Sequence, residues 1–107
     1  MIVTVFRSRL MPGQQEEYVA LVTRMAELAA ATPGYISHKG FTAEDGERCT
    51  IVEFESEAAH RAWAEHPAHR EAQKKAREIY YETYSVQICE LKREAKFERE
   101  AGSMAAE

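Results

Sequence analysis

Strand-like and helical stretches alternate along this chain in an order that restricts its fold more than any other feature. The strand-like runs, rich in valine, isoleucine, phenylalanine and tyrosine, are residues 1–10, 35–42, 48–55 and 83–91. Asp45 and Gly46 stand between the second and third runs and favour a tight turn, so these two strands form an antiparallel hairpin. With one helical stretch on either side of the hairpin, the order is β-α-β-β-α-β.

The two helical stretches differ in continuity. The first begins after Gly13 and stops before Pro33, and its apolar residues recur with the period of an α-helix. The second begins at the N-cap Ser56, is interrupted, and restarts at Pro67, because proline suits the first turn of a helix. It continues to about residue 81, and the residues predicted to face the sheet are Ala72, Ala76, Ile79 and Tyr80.

This order predicts a ferredoxin-like α+β fold, a four-stranded antiparallel sheet with its helices on one face. The first strand carries Ile2 and Phe6 on one side but Val3 and Val5 on the other. A sheet face in contact with water is polar at alternate positions, and this one is not. The sequence therefore predicts a homodimer in which the partner covers the open face of the sheet.

Length and charge exclude several classes of protein. The chain has 107 residues and a net charge of −4, with acidic and basic residues mixed. We expect one domain over residues 1–93 and a charged C-terminal tail over 94–107. The sequence has neither a basic stripe to neutralise phosphates nor an apolar run long enough to span a membrane, which excludes nucleic acid and membrane as expected partners. Without a signal-like segment or a disulfide framework, we expect a cytoplasmic protein.

The chemically versatile residues are concentrated between positions 62 and 73. This stretch holds the single tryptophan, Trp63, with His66, His69 and Gln73. His69 and Gln73 lie four residues apart on the helix face that also carries small alanines, and small residues leave room. We therefore expect a cavity between helix and sheet, and its predicted lining residues are Trp63, His69, Gln73 and Tyr80.

Each histidine also has a structural interpretation. The imidazole of His69 can hydrogen-bond to a backbone carbonyl. His66 can cap the helix that starts at Pro67 or face solvent. His38 can face either the cavity or the partner subunit, and His60 is expected to be exposed.

Metal binding is not expected, because the spacing of His66 and His69 lacks further ligands on the same face. No glycine-rich phosphate loop and no nucleophile elbow is present, so no nucleotide cofactor and no serine nucleophile is expected.

These motifs resemble the antibiotic biosynthesis monooxygenase domain over about residues 1–97. The resemblance rests on Pro33-Gly34-Tyr35, on the strand 50–54 after Asp45-Gly46, and above all on Trp63 followed by His66-Pro67-Ala68-His69. It implies a protomer that pairs with a second copy into a dimeric α+β barrel. Well-understood members oxidise tricyclic aromatic polyketides to quinones with molecular oxygen and without flavin, haem or metal. The resemblance thus implies an enzyme that needs no cofactor and takes an aromatic small molecule and oxygen.

The site residues implied by the resemblance match in part. Trp63 is shared, whereas quinone-forming relatives have an asparagine where this chain has Ala59 and a tyrosine where it has His69. Haem-degrading relatives have a histidine at Gln73, so haem is not expected to bind. The expected catalytic residues are His69, as a general base, and Trp63, which with Tyr80 holds the planar ring. The expected substrate-binding residues are Gln73, by a hydrogen bond to a ring oxygen, Tyr80, His66 and His38. A small-molecule-binding or stress-response dimer without turnover, and an isomerase or lyase that uses His69 as its base, are the alternatives.

Overall fold

Four strands and three helices follow one another as the sequence predicts. The computed structural model describes residues 1–99. The elements are β1 (Ile2–Leu10), α1 (Gln15–Ala30), β2 (Tyr35–Thr42), β3 (Arg48–Phe54), α2 (Glu57–Ala64), α3 (Pro67–Ile79) and β4 (Tyr81–Glu90). The second helical stretch is thus divided at Pro67, where the sequence places a new helix.

The strands form one antiparallel sheet in the order β2-β3-β1-β4. Val5 of β1 is opposite Ile51 of β3 on one side and Gln87 of β4 on the other. Alternate β1 residues are buried under the helices, Ile2, Thr4 and Ser8 among them. The helices therefore cover one face of the sheet, and the predicted ferredoxin-like α+β fold is confirmed.

Side-chain caps fix where α2 and α3 begin. The hydroxyl oxygen of Ser56 accepts a hydrogen bond of 3.1 Å from the backbone N–H of Ala59. Nδ1 of His66 accepts one of 3.1 Å from the N–H of Ala68, and Pro67 occupies the first turn of α3. Each cap satisfies a backbone donor that the first helical turn leaves free. The two caps start the two helices separately, so α2 ends at Ala64 and α3 begins at Pro67.

The turn before β2 sets how closely α2 approaches the sheet. Gly34 has a φ of +88°, and a Cβ there would lie 2.5 Å from the Cβ of Ala59 on α2. A larger residue would be strained by both the backbone and the contact. The carbonyl of Gly34 also accepts a 2.8 Å hydrogen bond from the N–H of Glu55, just before α2.

A β-bulge at Ile36 changes which side chains of β2 face the helices. Tyr35 is opposite Phe54 and Ser37 is opposite Glu53, so β2 contains one extra residue, Ile36, between two pairs that are consecutive on β3. In a regular strand residues 35 and 38 lie on opposite faces. Here Tyr35 and His38 share the helix face, with ring centroids 6.0 Å apart and a hydrogen bond between the Tyr35 hydroxyl and His38 Nδ1.

The core consists of two clusters rather than one. The first gathers Tyr18, Ala76 and Tyr80, and the second gathers Ala29, Phe54 and Trp63. The prediction that Ile79 faces the sheet is wrong, since this side chain is 42% exposed. Ile79 lies at the margin of the inward stripe of α3 and is its last residue, so no element covers it.

Residues 91–99 contain neither helix nor strand, and most of them are exposed. The backbone N–H of Leu91 still donates to the carbonyl of Met1 at 2.9 Å, which fastens the end of β4 to the start of β1. The predicted tail at 94–107 extends outside the described residues beyond position 99. Within residues 1–99, no helix has the length and apolar character that crossing a bilayer requires.

Candidate functional site

A cavity of about 270 Å³ lies between the helices and the sheet, lined by residues from both core clusters. The small side chains of Ala72 and Ala76 on α3 leave this space, and most of the wall is apolar. Val86 and Ile88 of β4 line its solvent-exposed side. The polar side chains in the wall are Thr4, Tyr18, His38, Thr50, His60, His69, Gln73, Arg77, Tyr81 and Tyr84. The volume is close to the lower limit of small-molecule sites, about 300 Å³.

Three histidines and the single tryptophan occupy one part of the wall, and we call His38, His60, His69 and Trp63 the histidine group. The ring of Trp63, 8% exposed, has its centroid 4.7 Å from that of His69. His60 contacts Phe54 edge to face at 5.7 Å. The three histidines come from β2, α2 and α3, so the fold and not the local sequence brings them together.

His69 is held in one orientation by a backbone contact. Its Nδ1 lies 3.4 Å from the carbonyl oxygen of Ala64, which can only accept, so Nδ1–H donates and Nε2 keeps its lone pair. Burial lowers the pKa of His69 below its usual value, and the hydrogen bond to Ala64 opposes this only in part. The imidazole is therefore neutral at pH 7, with one nitrogen able to accept a proton.

His60 and His38 line the same cavity. His60 is half-buried, contrary to the expectation that it is exposed, because it lies three residues before Trp63 on the inward face of α2. Burial lowers the pKa of His60 as well. His38, which the sequence left open between cavity and partner, faces the cavity because of the bulge at Ile36.

Gln73 lies one helical turn beyond His69 and also lines the cavity. Tyr80 and His66 do not line it. Tyr80 is 2% exposed, packs edge to face on Tyr18 at 6.0 Å, and donates a 3.4 Å hydrogen bond to Glu17. His66 is exposed and caps α3, with its ring centroid 5.7 Å from that of Trp63.

Four aromatic rings occupy another part of the wall, and we call Phe6, Tyr18, Tyr81 and Tyr84 the tyrosine group. Their neighbouring centroids lie 5.2 to 5.6 Å apart. The hydroxyl groups of Tyr18 and Tyr81 are hydrogen-bonded at 2.9 Å. Burial, and the nearby Tyr18, raise the pKa of Tyr81 far above its usual value, so this hydroxyl remains a proton donor.

The tyrosine group and Arg77 are parts of the cavity wall that the sequence patterns did not predict. A signal for Arg77 exists, since it follows His69 and Gln73 at intervals of four on α3. No comparable signal exists for the tyrosine group, because its members come from three separate elements. Residues 1–99 contain no group of three or more histidine, cysteine or acidic side chains placed to hold a metal ion.

The antibiotic biosynthesis monooxygenase family matches residues 1–75 of the chain. The uncharacterized protein YqjZ of Bacillus subtilis (strain 168) is 31% identical over 81 residues, which cover 76% of this chain and 71% of YqjZ. Rv0793 from Mycobacterium tuberculosis superimposes with a TM-score of 0.79 at 19% identity, covering 89% of this chain and 98% of Rv0793. A variant of SnoaB, a cofactor-independent oxygenase from Streptomyces nogalater, superimposes with a TM-score of 0.76 at 18% identity, covering 87% and 94%.

Proposed function

Because the chain belongs to the antibiotic biosynthesis monooxygenase family, we propose that it is a cofactor-independent monooxygenase of a small planar aromatic substrate, of the polyketide or quinol type. The observation that carries this proposal is the neutral imidazole of His69, held against Trp63 in the wall of a largely apolar cavity. The similarity to SnoaB supports the same class of reaction. Molecular oxygen is the second substrate.

The substrate ring lies against Trp63, whose indole offers a flat apolar surface. Gln73 and His38 in the cavity wall contribute hydrogen bonds to oxygen atoms on the ring. Tyr80 and His66 support the binding site from behind, since Tyr80 packs on Tyr18 and His66 packs on Trp63. The apolar part of the wall limits the contact of the reacting ring with water, which protects intermediates from hydrolysis.

His69 starts the reaction as a general base. Its Nε2 accepts the phenolic proton, and the electron-rich phenolate then forms a bond between a ring carbon and molecular oxygen. Cleavage of the O–O bond leaves one oxygen atom on the ring as the quinone oxygen. The other oxygen leaves as water, with the two hydrogens that the phenol and the ring carbon lose. The substrate supplies all four electrons, which is why no cofactor is needed.

Oxygen uptake tests this proposal directly. The protein is incubated with a panel of naphthols and anthrones while an oxygen electrode and the absorbance of the quinone product are followed. Trp63 is the single tryptophan, so quenching of its fluorescence reports binding in the cavity separately from turnover. Equal amounts of oxygen consumed and quinone formed support a monooxygenase. Quenching without oxygen uptake points instead to a binding protein, and conversion without uptake to an isomerase or lyase.

The working form we propose is a homodimer that closes a dimeric α+β barrel. Val3, Val5 and Ile51 lie on the sheet face away from the helices, where Val5 is opposite Ile51 and Val3 is opposite Glu53. Phe41 of β2 adds an aromatic ring that is 50% exposed. The apolar side chains on this face are stabilised when a second copy covers them.

The dimer is tested by placing a charge on that face. Val5→Glu is expected to convert the dimer into a monomer at micromolar concentration, measured by sedimentation velocity, because a carboxylate is costly to bury between two sheets. Ala20→Glu on the exposed side of α1 is the matched control and leaves the dimer intact. A wild-type protein that sediments as a monomer contradicts the proposal.

A further inference from the structure

The charge of the cavity wall differs from the charge of the chain. The sequence contains 18 acidic residues and has a net charge of −4. Yet no aspartate or glutamate among the described residues 1–99 lines the cavity. Of the lysines and arginines in that range, Arg77 alone lines it. A negatively charged ligand thus meets no carboxylate in the wall and one permanent positive charge.

Arg77 stands at a definite distance from the proposed base. His69, Gln73 and Arg77 follow one another at intervals of four residues on α3, and all three line the cavity. Eight residues of helix separate His69 from Arg77, a rise of about 12 Å. His69 lies next to Trp63, whereas Arg77 lies near the end of α3, beside Ala76 of the first core cluster. Two ends of one ligand can therefore meet different chemistry.

The guanidinium of Arg77 is available to a ligand. The ion pairs within residues 1–99 involve other arginines and a lysine, none of them Arg77. Arg77 is exposed, so its charge stays in contact with water although the residue lines the cavity. Guanidinium groups bind carboxylates through two parallel hydrogen bonds, a geometry that gives orientation as well as affinity.

We propose that the aromatic substrate carries a carboxylate at the end of its ring system opposite the oxidised position, and that Arg77 binds this carboxylate. The inference rests on the proposed function, because it uses His69 to define the reacting end. Arg77 is then a specificity-determining residue: it selects acidic aromatics and directs their phenolic end toward His69. A neutral aromatic of the same shape still enters the cavity but binds more weakly and without a fixed direction.

Isothermal titration calorimetry with two matched ligands tests the inference without any turnover. The ligands are 6-hydroxy-2-naphthoate and its neutral counterpart 6-hydroxy-2-naphthamide. The wild-type protein is expected to bind the acid about tenfold more tightly, the contribution of one hydrogen-bonded charge. Arg77→Gln is expected to bind both ligands equally, with its affinity for the amide unchanged. Arg70→Gln, on the exposed face of the same helix and outside the cavity wall, keeps the tenfold preference.

The outcomes separate this inference from the proposed function. If the wild-type protein binds acid and amide equally, the acidic substrate is wrong while aromatic binding stands. If Arg77→Gln keeps the preference for the acid, Arg77 is not the group that binds the carboxylate. If neither ligand binds to the wild-type protein, the proposed function fails and this inference fails with it. Equal melting temperatures of the two arginine variants confirm that both are folded.

Discussion

The histidine group and the tyrosine group line one cavity, and the same physical cause acts on them in opposite directions. Burial lowers the pKa of His69 and raises that of Tyr81. Both shifts favour the neutral form, because a low-dielectric surrounding penalises charge. A neutral imidazole accepts a proton, whereas a neutral phenol donates a hydrogen bond. Burial alone thus gives the cavity a proton-accepting region and a hydrogen-donating region.

The two groups also differ in how their polar atoms are satisfied. The hydroxyl groups of Tyr18 and Tyr81 are hydrogen-bonded to each other at 2.9 Å, so each of these two hydroxyls already has a partner within the protein. His69 uses only Nδ1, on the carbonyl of Ala64, and its Nε2 remains for a ligand. A polar atom that the protein leaves available in an apolar cavity is a better candidate for chemistry than one with a fixed partner. On the proposed function, the reaction therefore takes place at the histidine group, and we propose that the tyrosine group contacts the part of the bound ring that lies away from His69 and Trp63.

The largest expected effect is on turnover at His69. His69→Gln keeps a hydrogen-bonding side chain of similar size but removes the base, so oxygen consumption is expected to fall about 10²- to 10⁴-fold. Stability is expected to change by about 1 kcal/mol or less, because glutamine can still donate to Ala64. Arg70→Gln on the same helix serves as the control. A variant that melts early but turns over normally identifies His69 as a structural residue.

A smaller effect is expected on the pH dependence of turnover. Since His69 must be neutral to accept a proton and its pKa is lowered, kcat/KM is expected to be flat near pH 7. It then falls about tenfold per pH unit below the pKa of His69, which lies under the usual value of about 6.5. The residual activity of His69→Gln is expected to lack this acid limb. An acid limb that persists in the variant belongs to another group.

The histidine group was partly predictable and the tyrosine group was not. Spacing by four residues placed His69 and Gln73 on one helix face, and Trp63 was added to the predicted cavity because it lies in the same short stretch of sequence. His38 was undecided because its orientation depends on the bulge at Ile36, and a bulge has no signature in a strand's alternation. Tyr80 has the same helical period as His69, yet the first core cluster packs around it and keeps it out of the cavity wall.

The fold was more predictable than the site because it depends on local patterns. Proline and the Ser56 cap determine where α2 and α3 begin, and Gly46 adopts the positive φ that the hairpin turn needs. These signals lie within a few residues of the elements they define. The hydrogen bond between Tyr18 and Tyr81 instead joins residues that are 63 positions apart, and it depends on how α1 packs on the sheet.

Removal of one hydroxyl from the tyrosine group is expected to weaken ligand binding only moderately. Tyr81→Phe removes half of the hydroxyl pair, so affinity for a naphthol is expected to fall about three- to tenfold, the value of one hydrogen bond. The acid limb of kcat/KM is expected to stay unchanged, because His69 is untouched. Tyr80→Phe is the matched control, since the Tyr80 hydroxyl bonds to Glu17 and does not line the cavity. Loss of turnover at constant affinity would instead place Tyr81 in the chemistry.

The smallest expected effect is on stability in mild acid. Because the folded protein lowers the pKa of His69, the unfolded chain binds a proton more readily as the pH falls below about 7. Stability is therefore expected to decrease from pH 7 toward pH 5, and this contribution of His69 becomes constant once the pH is below the folded pKa. His69→Gln lacks that contribution, so its deficit relative to the wild-type protein is expected to narrow over the same range.

Urea unfolding at pH 7 and pH 5 measures this difference through the midpoint concentration. The difference in stability between His60→Gln and the wild-type protein is also expected to become smaller from pH 7 to pH 5, since burial lowers the pKa of His60 too. Arg70→Gln leaves both histidines in place, so its difference from the wild-type protein is expected to stay constant. A deficit of His69→Gln that widens in acid means that His69 is charged in the folded protein. In that case the histidine group is not the proton-accepting region, and its contrast with the tyrosine group disappears.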